Sequence, residues 1–208
     1  MNHVSQLRPA TPLRTAATVV RFDPVTIVLH WATVVLLAVM FASIWGRAVV
    51  GEGAPAADGL LTLHRSAGVT LWLVAFCRIS WRLTFALRPP LPTSVSLLQA
   101  RAAAATEGGL YVLLLVQPLT GLMQTLARGR PFQFFFFAVP QAMPRDKNLA
   151  MLFHQAHELA AWLLLGLIAL HVGAALLHGF VLKDGVLQSM LPRGRPRPVA
   201  APRRRVAS

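Results

Sequence analysis

Four histidines, His30, His64, His157 and His171, stand in or beside apolar runs of the chain. Ionisable side chains are costly in such surroundings, so each of the four is by default a functional position. Two share the last run. Fourteen residues separate His157 from His171, and at about 100° and 1.5 Å per residue a helix would point the two imidazoles within roughly 40° of each other, about 21 Å apart along its axis. Pairing by depth joins His30 with His171 and His64 with His157. Each pair is two neutral imidazoles without a carboxylate or thiolate. Two axial imidazoles saturate an iron porphyrin and leave no open position, which favours electron transfer over oxygen binding. A free zinc ion wants four ligands, or three plus water, so the pairing suits haem better. The single cysteine, Cys77, excludes an internal disulfide, a CxxCH haem attachment, a four-thiolate iron–sulfur cluster and a cysteine-based zinc site. His154, one turn before His157 in FHQAHE, reads as an interfacial neighbour or a substitute ligand. His178, seven residues past His171 and on the same face, reads as a proton-uptake group at a quinone site or a snorkelling side chain.

The elements that must position these groups are apolar helices. Of 208 residues 55% are hydrophobic and 13% charged, against roughly a quarter charged in a soluble domain. Val25–Trp45 is a run of 21 residues without Asp, Glu, Lys or Arg, and Asp23-Pro24 ahead of it is a helix start. Gly59–Cys77 is a second run, broken only by His64-Arg65 and closed by Arg78–Arg82, where Trp and Arg read as headgroup anchors. Gly108–Ala127 gives 20 uncharged residues with Pro118 expected to kink the helix, and Leu159–Leu182 gives 24, in a segment beginning near Leu149. About 20 apolar residues span a bilayer core. The expected fold is therefore an all-α membrane protein, a four-transmembrane-helix bundle. Gly46–Asp58 reads as a loop, and SVSLLQARAAAATE as a connection into the third helix. Arg128–Lys147, with the run Phe134–Phe137, reads as a long loop folding back into the interface. Residues 1–22 read as a flexible basic tail lacking a secretory cleavage pattern, 23–192 as the four-helix domain, and 193–208 as a disordered basic tail.

The net charge of +13 invites a nucleic-acid partner. Its distribution explains it otherwise. In a four-span topology 14 Lys and Arg fall on the side of the termini and 6 on the other, so the positive-inside rule makes both termini cytoplasmic. The excess then reflects topology and contact with anionic membrane lipid, with no nucleic acid.

VTIVLHWATVVLL, LHRSAGVTLWLVAFCRISWRL, LYVLLLVQPLTGLM and HELAAWLLLGLIALHVGAALLHGFVLKDGVLQSMLP, in that order over roughly residues 20 to 192, resemble the bacterial cytochrome b561 family. This group includes the superoxide oxidases and is related to the cytochrome b subunits of nickel hydrogenases. The resemblance implies two haem b groups held by histidines of helices one, two and four, here His30, His64, His157 and His171, making 23–192 a di-haem cytochrome b domain. It also implies a multi-pass protein of the bacterial inner membrane with ubiquinone as electron acceptor. The function expected is transmembrane electron transfer from an external, periplasmic donor to the quinone pool, with superoxide the favoured donor and a superoxide:ubiquinone oxidoreductase the corresponding enzyme. The basic residues Arg65, Arg128, Arg130, Arg145 and Lys147 would attract such an anion. One alternative is a cytochrome b subunit taking electrons from a partner dehydrogenase or hydrogenase. Another, of a different class, is a haem-free proton or metal transporter using the same histidines. The chain departs from the family where Glu107 precedes Tyr111, since many members carry a histidine one turn before that tyrosine.

Overall fold

The computed structural model describes residues 21–86, 89–90 and 95–192. Nearly all of the two expected tails therefore lies outside the described residues. Four long helices, α1 (Pro24–Val50), α2 (Pro55–Thr84), α3 (Leu97–Ala127) and α4 (Lys147–Leu176), are each long and apolar enough to cross a membrane. A π-helical turn, Leu177–Leu182, extends α4, and a short α5 (Val186–Met190) follows.

The helices run further than the hydropathy pattern indicates. The expected loop Gly46–Asp58 shrinks to Gly51–Ala54, because α1 continues through Val50 and α2 begins at Pro55. Proline at the first helical position loses no bond, since that N–H has no intrahelical partner. The expected connection before the third helix is the first turns of α3 itself. Ser96 accepts from the Gln99 N–H while the Gln99 side chain accepts from the Ser96 N–H, a capping box that starts the helix before its alanine run. Pro118 lies inside α3 without ending it. The loop from Arg128 to Asp146 carries a small hairpin, β1 (Phe132–Phe134) with antiparallel β2 (Phe137–Val139), where Phe132 pairs with Val139.

α1 packs mainly on α2 and α3 on α4, with the α2–α3 contact as the seam between the two helix pairs. The buried centre is made of Met40, Ala67, Leu71, Ala75 and Leu114. Ser66 and Gly68 beside them add to a strip of small side chains on α2. Lipid tails are as apolar as leucine, so helix association in a membrane relies on close packing of such small residues. Large side chains face outward, with Val28, Phe76, Trp162 and Leu170 all exposed. That is the surface a lipid solvent requires.

At the end of the bundle nearest the termini, Asp23 caps α1. Its carboxylate accepts from the Thr26 N–H (2.9 Å), the Thr26 hydroxyl (2.6 Å) and the Trp81 indole (3.0 Å), tying α1 to α2. Burial alone would raise its pKa, but these hydrogen bonds outweigh it and hold the carboxyl below its usual value. A carboxyl depressed in the folded state stabilises above its unfolded value and loses that contribution as pH falls through the folded one. Asp23→Ala should therefore cost about 1 kcal/mol near neutral pH. The gap from wild type should narrow as the pH falls below the ordinary carboxyl range and through the depressed folded-state pKa, as thermal unfolding in detergent would report.

Candidate functional site

The bundle brings the four histidines together in two pairs. His30 of α1 faces His171 of α4 with ring centres 6.2 Å apart, and His64 of α2 faces His157 of α4, also at 6.2 Å. Because α4 supplies one member of each, the two sites are stacked along it. The pair His64–His157 lies toward the end bearing the hairpin, and His30–His171 toward the end bearing the termini. A metal ion bound to one nitrogen of each ring at about 2.0 Å, with roughly a further ångström from nitrogen to ring centre, separates the ring centres by about 6 Å. Both pairs have that spacing.

The hairpin-side pair is oriented by backbone. His64 Nδ1 lies 3.0 Å from the Met40 carbonyl oxygen, and His157 Nδ1 lies 3.0 Å from the Gln117 carbonyl oxygen. A carbonyl only accepts, so each Nδ1 carries the ring proton and donates it, which leaves Nε2 of both rings unprotonated, that of His157 accepting from the Gln117 amide. Locking the tautomer through the second nitrogen is how proteins prepare an imidazole for a metal. The Gln117 amide sits 3.3 Å from His157 Nε2, and its own Oε1 is buried with no partner. The protein by itself thus leaves this pocket's polar groups incompletely paired.

Between the imidazoles opens a cavity of about 370 Å³, lined by Met40, Gly68, Gly121 and Leu164 among others. Gly121 is there for lack of a side chain: a Cβ would fall 2.8 Å from His157 Cε1 and 3.0 Å from its Nδ1. Gly68 is less tight, with Met40 Cε at 3.5 Å from a Cβ. Two imidazoles at that spacing beside a largely apolar cavity, with glycine where a side chain would intrude, fit a flat macrocycle held between them. A free ion is a poorer fit, since no three His, Cys, Asp or Glu gather into a metal-holding group among the described residues.

The mouth of the cavity is basic and aromatic. Arg47, Arg65 and Arg128 line it together with Phe132 and Phe134 of the hairpin. Arg47 pairs with Glu52 at 2.9 Å, and the Arg65 guanidinium lies 5.9 Å from the Phe132 ring centre. The hairpin is pinned by the Phe135 N–H donating to Ser66 Oγ at 2.7 Å, two residues from His64. Phe135 takes a left-handed conformation (φ 48°) to make the turn, uncommon for a residue with a side chain. His154 stands one turn from His157 with Nδ1 3.2 Å from the Gln124 amide, facing α3.

The pair nearer the termini is set differently. Arg78 was expected as a headgroup anchor, but its Nη2 lies 3.1 Å from His30 Nδ1 and its guanidinium 5.2 Å from the Tyr111 ring centre. Arg82 stacks on the same tyrosine at 5.1 Å and pairs with Glu107. Sequence reasoning missed this role for Arg78, although a signal existed: Arg78 follows His64 by the same fourteen residues that separate His157 from His171, so it lies on the ligand face of α2. Gln117, Gly121 and the Met40 carbonyl had no comparable signal. His178, in the π-helical turn, is 2.6 Å from Asp184.

Comparison with known proteins agrees with this architecture. The family model described as prokaryotic cytochrome b561 matches residues 21–193. The chain is similar to cytochrome b561 homolog 1 of Escherichia coli K12, 30% identical over 83% of this chain and 98% of that protein. It is 28% identical to a probable superoxide oxidase of Yersinia pestis over 84% of this chain and 98% of the relative. Cytochrome b561 homolog 2 of E. coli K12 is 29% identical over 82% and 91% of the two chains. With four membrane-spanning helices and histidines paired across them, the chain belongs to the prokaryotic cytochrome b561 family, and is a bacterial multi-pass membrane cytochrome that binds haem b and carries electrons.

Proposed function

We propose that the protein is a di-haem cytochrome b of the inner membrane in which His30 and His171 hold one haem b and His64 and His157 the other. It would pass electrons from a donor outside the membrane, with superoxide the favoured donor, to the quinone pool. The observation that carries this reading is the pair of imidazole couples, each at 6.2 Å, on opposite halves of one helix. A rise of about 21 Å between His157 and His171 supports one couple in each leaflet of a hydrocarbon core about 30 Å thick. Haem held there would supply reversible one-electron exchange.

The chain's own residues would do the rest. The Met40 and Gln117 carbonyls hold His64 and His157 in the tautomer that presents Nε2. Arg65 and Arg128 at the mouth attract a small anion toward the hairpin-side couple. That end lies outside the cell if the 14 Lys and Arg on the side of the termini are cytoplasmic. The relative named as a probable superoxide oxidase supports the donor. Two superoxide ions giving one electron each yield two dioxygen molecules, and a quinone taking both electrons needs two protons to become the quinol. His178 with Asp184, beside the end of α4, is the candidate entry for those protons. Burial works against the Asp184 carboxylate, but hydrogen bonds from His178 and the Val186 N–H prevail and keep its pKa below the ordinary value. The carboxylate is thus a standing acceptor beside the imidazole.

Pyridine haemochrome assay of the purified protein should give two b haems per chain; one or none would overturn the reading. With quinone as the only other component, enzymatically generated superoxide should reduce the haem. Arg65→Gln combined with Arg128→Gln should slow that reduction without altering the spectrum, and salt should slow the wild type as it screens charge over about 10 Å at 0.1 M. Negligible reduction that recovers when a soluble redox subunit is added would favour the partner-fed cytochrome instead.

A further inference from the structure

Arg78 is a cation without an anion. It lies three-quarters of the way along α2, inside a candidate span, with its Nε buried and unpaired. Its neighbours are neutral: the His30 ring at 3.1 Å and the Tyr111 ring at 5.2 Å. Among the described residues no carboxylate comes within ion-pair distance of it, whereas Arg82, one turn on, has Glu107. A buried charge is retained in a membrane protein when it meets a counter-charge, and an uncompensated one is strongly destabilising. The contact with His30 does not supply one. It also conflicts with ligation, because an Nδ1 that accepts from Arg78 leaves the proton of a neutral ring on Nε2, the nitrogen an iron would take. When His30 binds through Nε2, its Nδ1 must carry the proton and can no longer accept, so the guanidinium loses this partner too. The missing anion therefore has to arrive with whatever occupies the space between His30 and His171.

Haem b carries two carboxylate side chains. Resting on the di-haem reading above, we propose that Arg78 is the counter-cation of a carboxylate on the haem held by His30 and His171, and that its charge raises that haem's reduction potential above the value it would otherwise have. A fixed positive charge favours the reduced, less positive iron, and burial strengthens the effect. Arg78 is thus a positioning residue that makes the haem nearer the termini a better electron acceptor than it would be without that charge.

Potentiometric titration of the full-length protein, with both haems loaded, tests this through Arg78→Gln and Arg78→Lys. In Arg78→Gln the reduction equilibrium of one haem should shift at least tenfold toward the oxidised form, about 59 mV lower for a one-electron couple. Arg78→Lys should recover most of that shift. The unmoved haem should be the one whose midpoint survives in His30→Ala. Loss of only the shifted haem from Arg78→Gln, with retention in Arg78→Lys, would also support the charge role. Unchanged midpoints in Arg78→Gln, equal shifts of both haems, or a lysine variant no better than glutamine would overturn it, as would unaltered midpoints with impaired quinone reduction. Wild-type protein holding fewer than two haems would instead overturn the di-haem reading beneath it.

Discussion

His157→Ala should strip the hairpin-side haem from the protein and leave the other in place, halving the haemochrome yield. His64→Ala should do the same, and His30→Ala or His171→Ala should remove the partner haem. Groups that merely orient a ligating histidine are worth 10–100-fold in metal affinity, so removing the ligand itself should cost more than about 100-fold. Electron delivery from the donor to quinone should stop in all four variants, since the proposed function puts the two sites in series. Spectra and haem content of each variant, purified in detergent and checked for helicity, decide the matter. If His157→Ala kept both haems while His154→Ala lost one, the ligand in FHQAHE would be His154, and its contact with Gln124 would need another explanation.

The second large effect concerns a residue that touches no electron. Gly121→Val should also empty the hairpin-side site, because even the first carbon of a side chain would lie 2.8 Å from His157 Cε1. Contacts that short are relieved only by movement. The ring is not free to move, since its Nδ1 is held at 3.0 Å by the Gln117 carbonyl. Gly121→Ala should weaken haem retention and Gly121→Val abolish it. Gly68→Ala, on the opposite wall, should be tolerated because Met40 Cε at 3.5 Å is in ordinary contact distance and flexible. Full haem content in Gly121→Val would mean that His157 can be held from another rotamer, and the geometric case for the site would fail. Equal loss in both alanine variants would point to general packing rather than to the imidazole.

Much of this arrangement was legible in the sequence, for identifiable reasons. Uncharged runs such as Val25–Trp45 allow few alternatives to a spanning helix, and the fourteen-residue spacing of His157 and His171 fixes a common face from helix geometry alone. Helix ends were harder. Gly46, Pro55 and the charges around them read as loop punctuation, yet proline at a helix start stabilises it. The Ser96–Gln99 capping box was visible as a spacing and marks where α3 begins. The run Phe134–Phe137 has no alternation that would announce two strands, and its turn rests on the Ser66 hydroxyl contributed from α2. Partners of that kind, like the Met40 carbonyl at His64 or Arg78 at His30, depend on how far one helix slides past another. One chain's pattern does not encode that offset at any single position.

The division of the bundle into two helix pairs bears on how the protein is assembled. Each imidazole couple reaches across the seam: His30 and His64 belong to the α1–α2 pair, His157 and His171 to the α3–α4 pair. Neither half contains a complete site. Two helical hairpins, one closed by the short turn Gly51–Ala54 and the other by the longer loop with β1 and β2, can enter a bilayer one after the other as the ribosome delivers them, and each satisfies its own backbone as it goes in. Only when they meet do the paired rings exist, so a haem held between them would be inserted late and would then act as a clasp. On the di-haem reading, iron held from both halves would add two cross-braces to the seam that Leu71 of α2 and Leu114 of α3 help to close, and haem supply would become a checkpoint on whether the halves stay together.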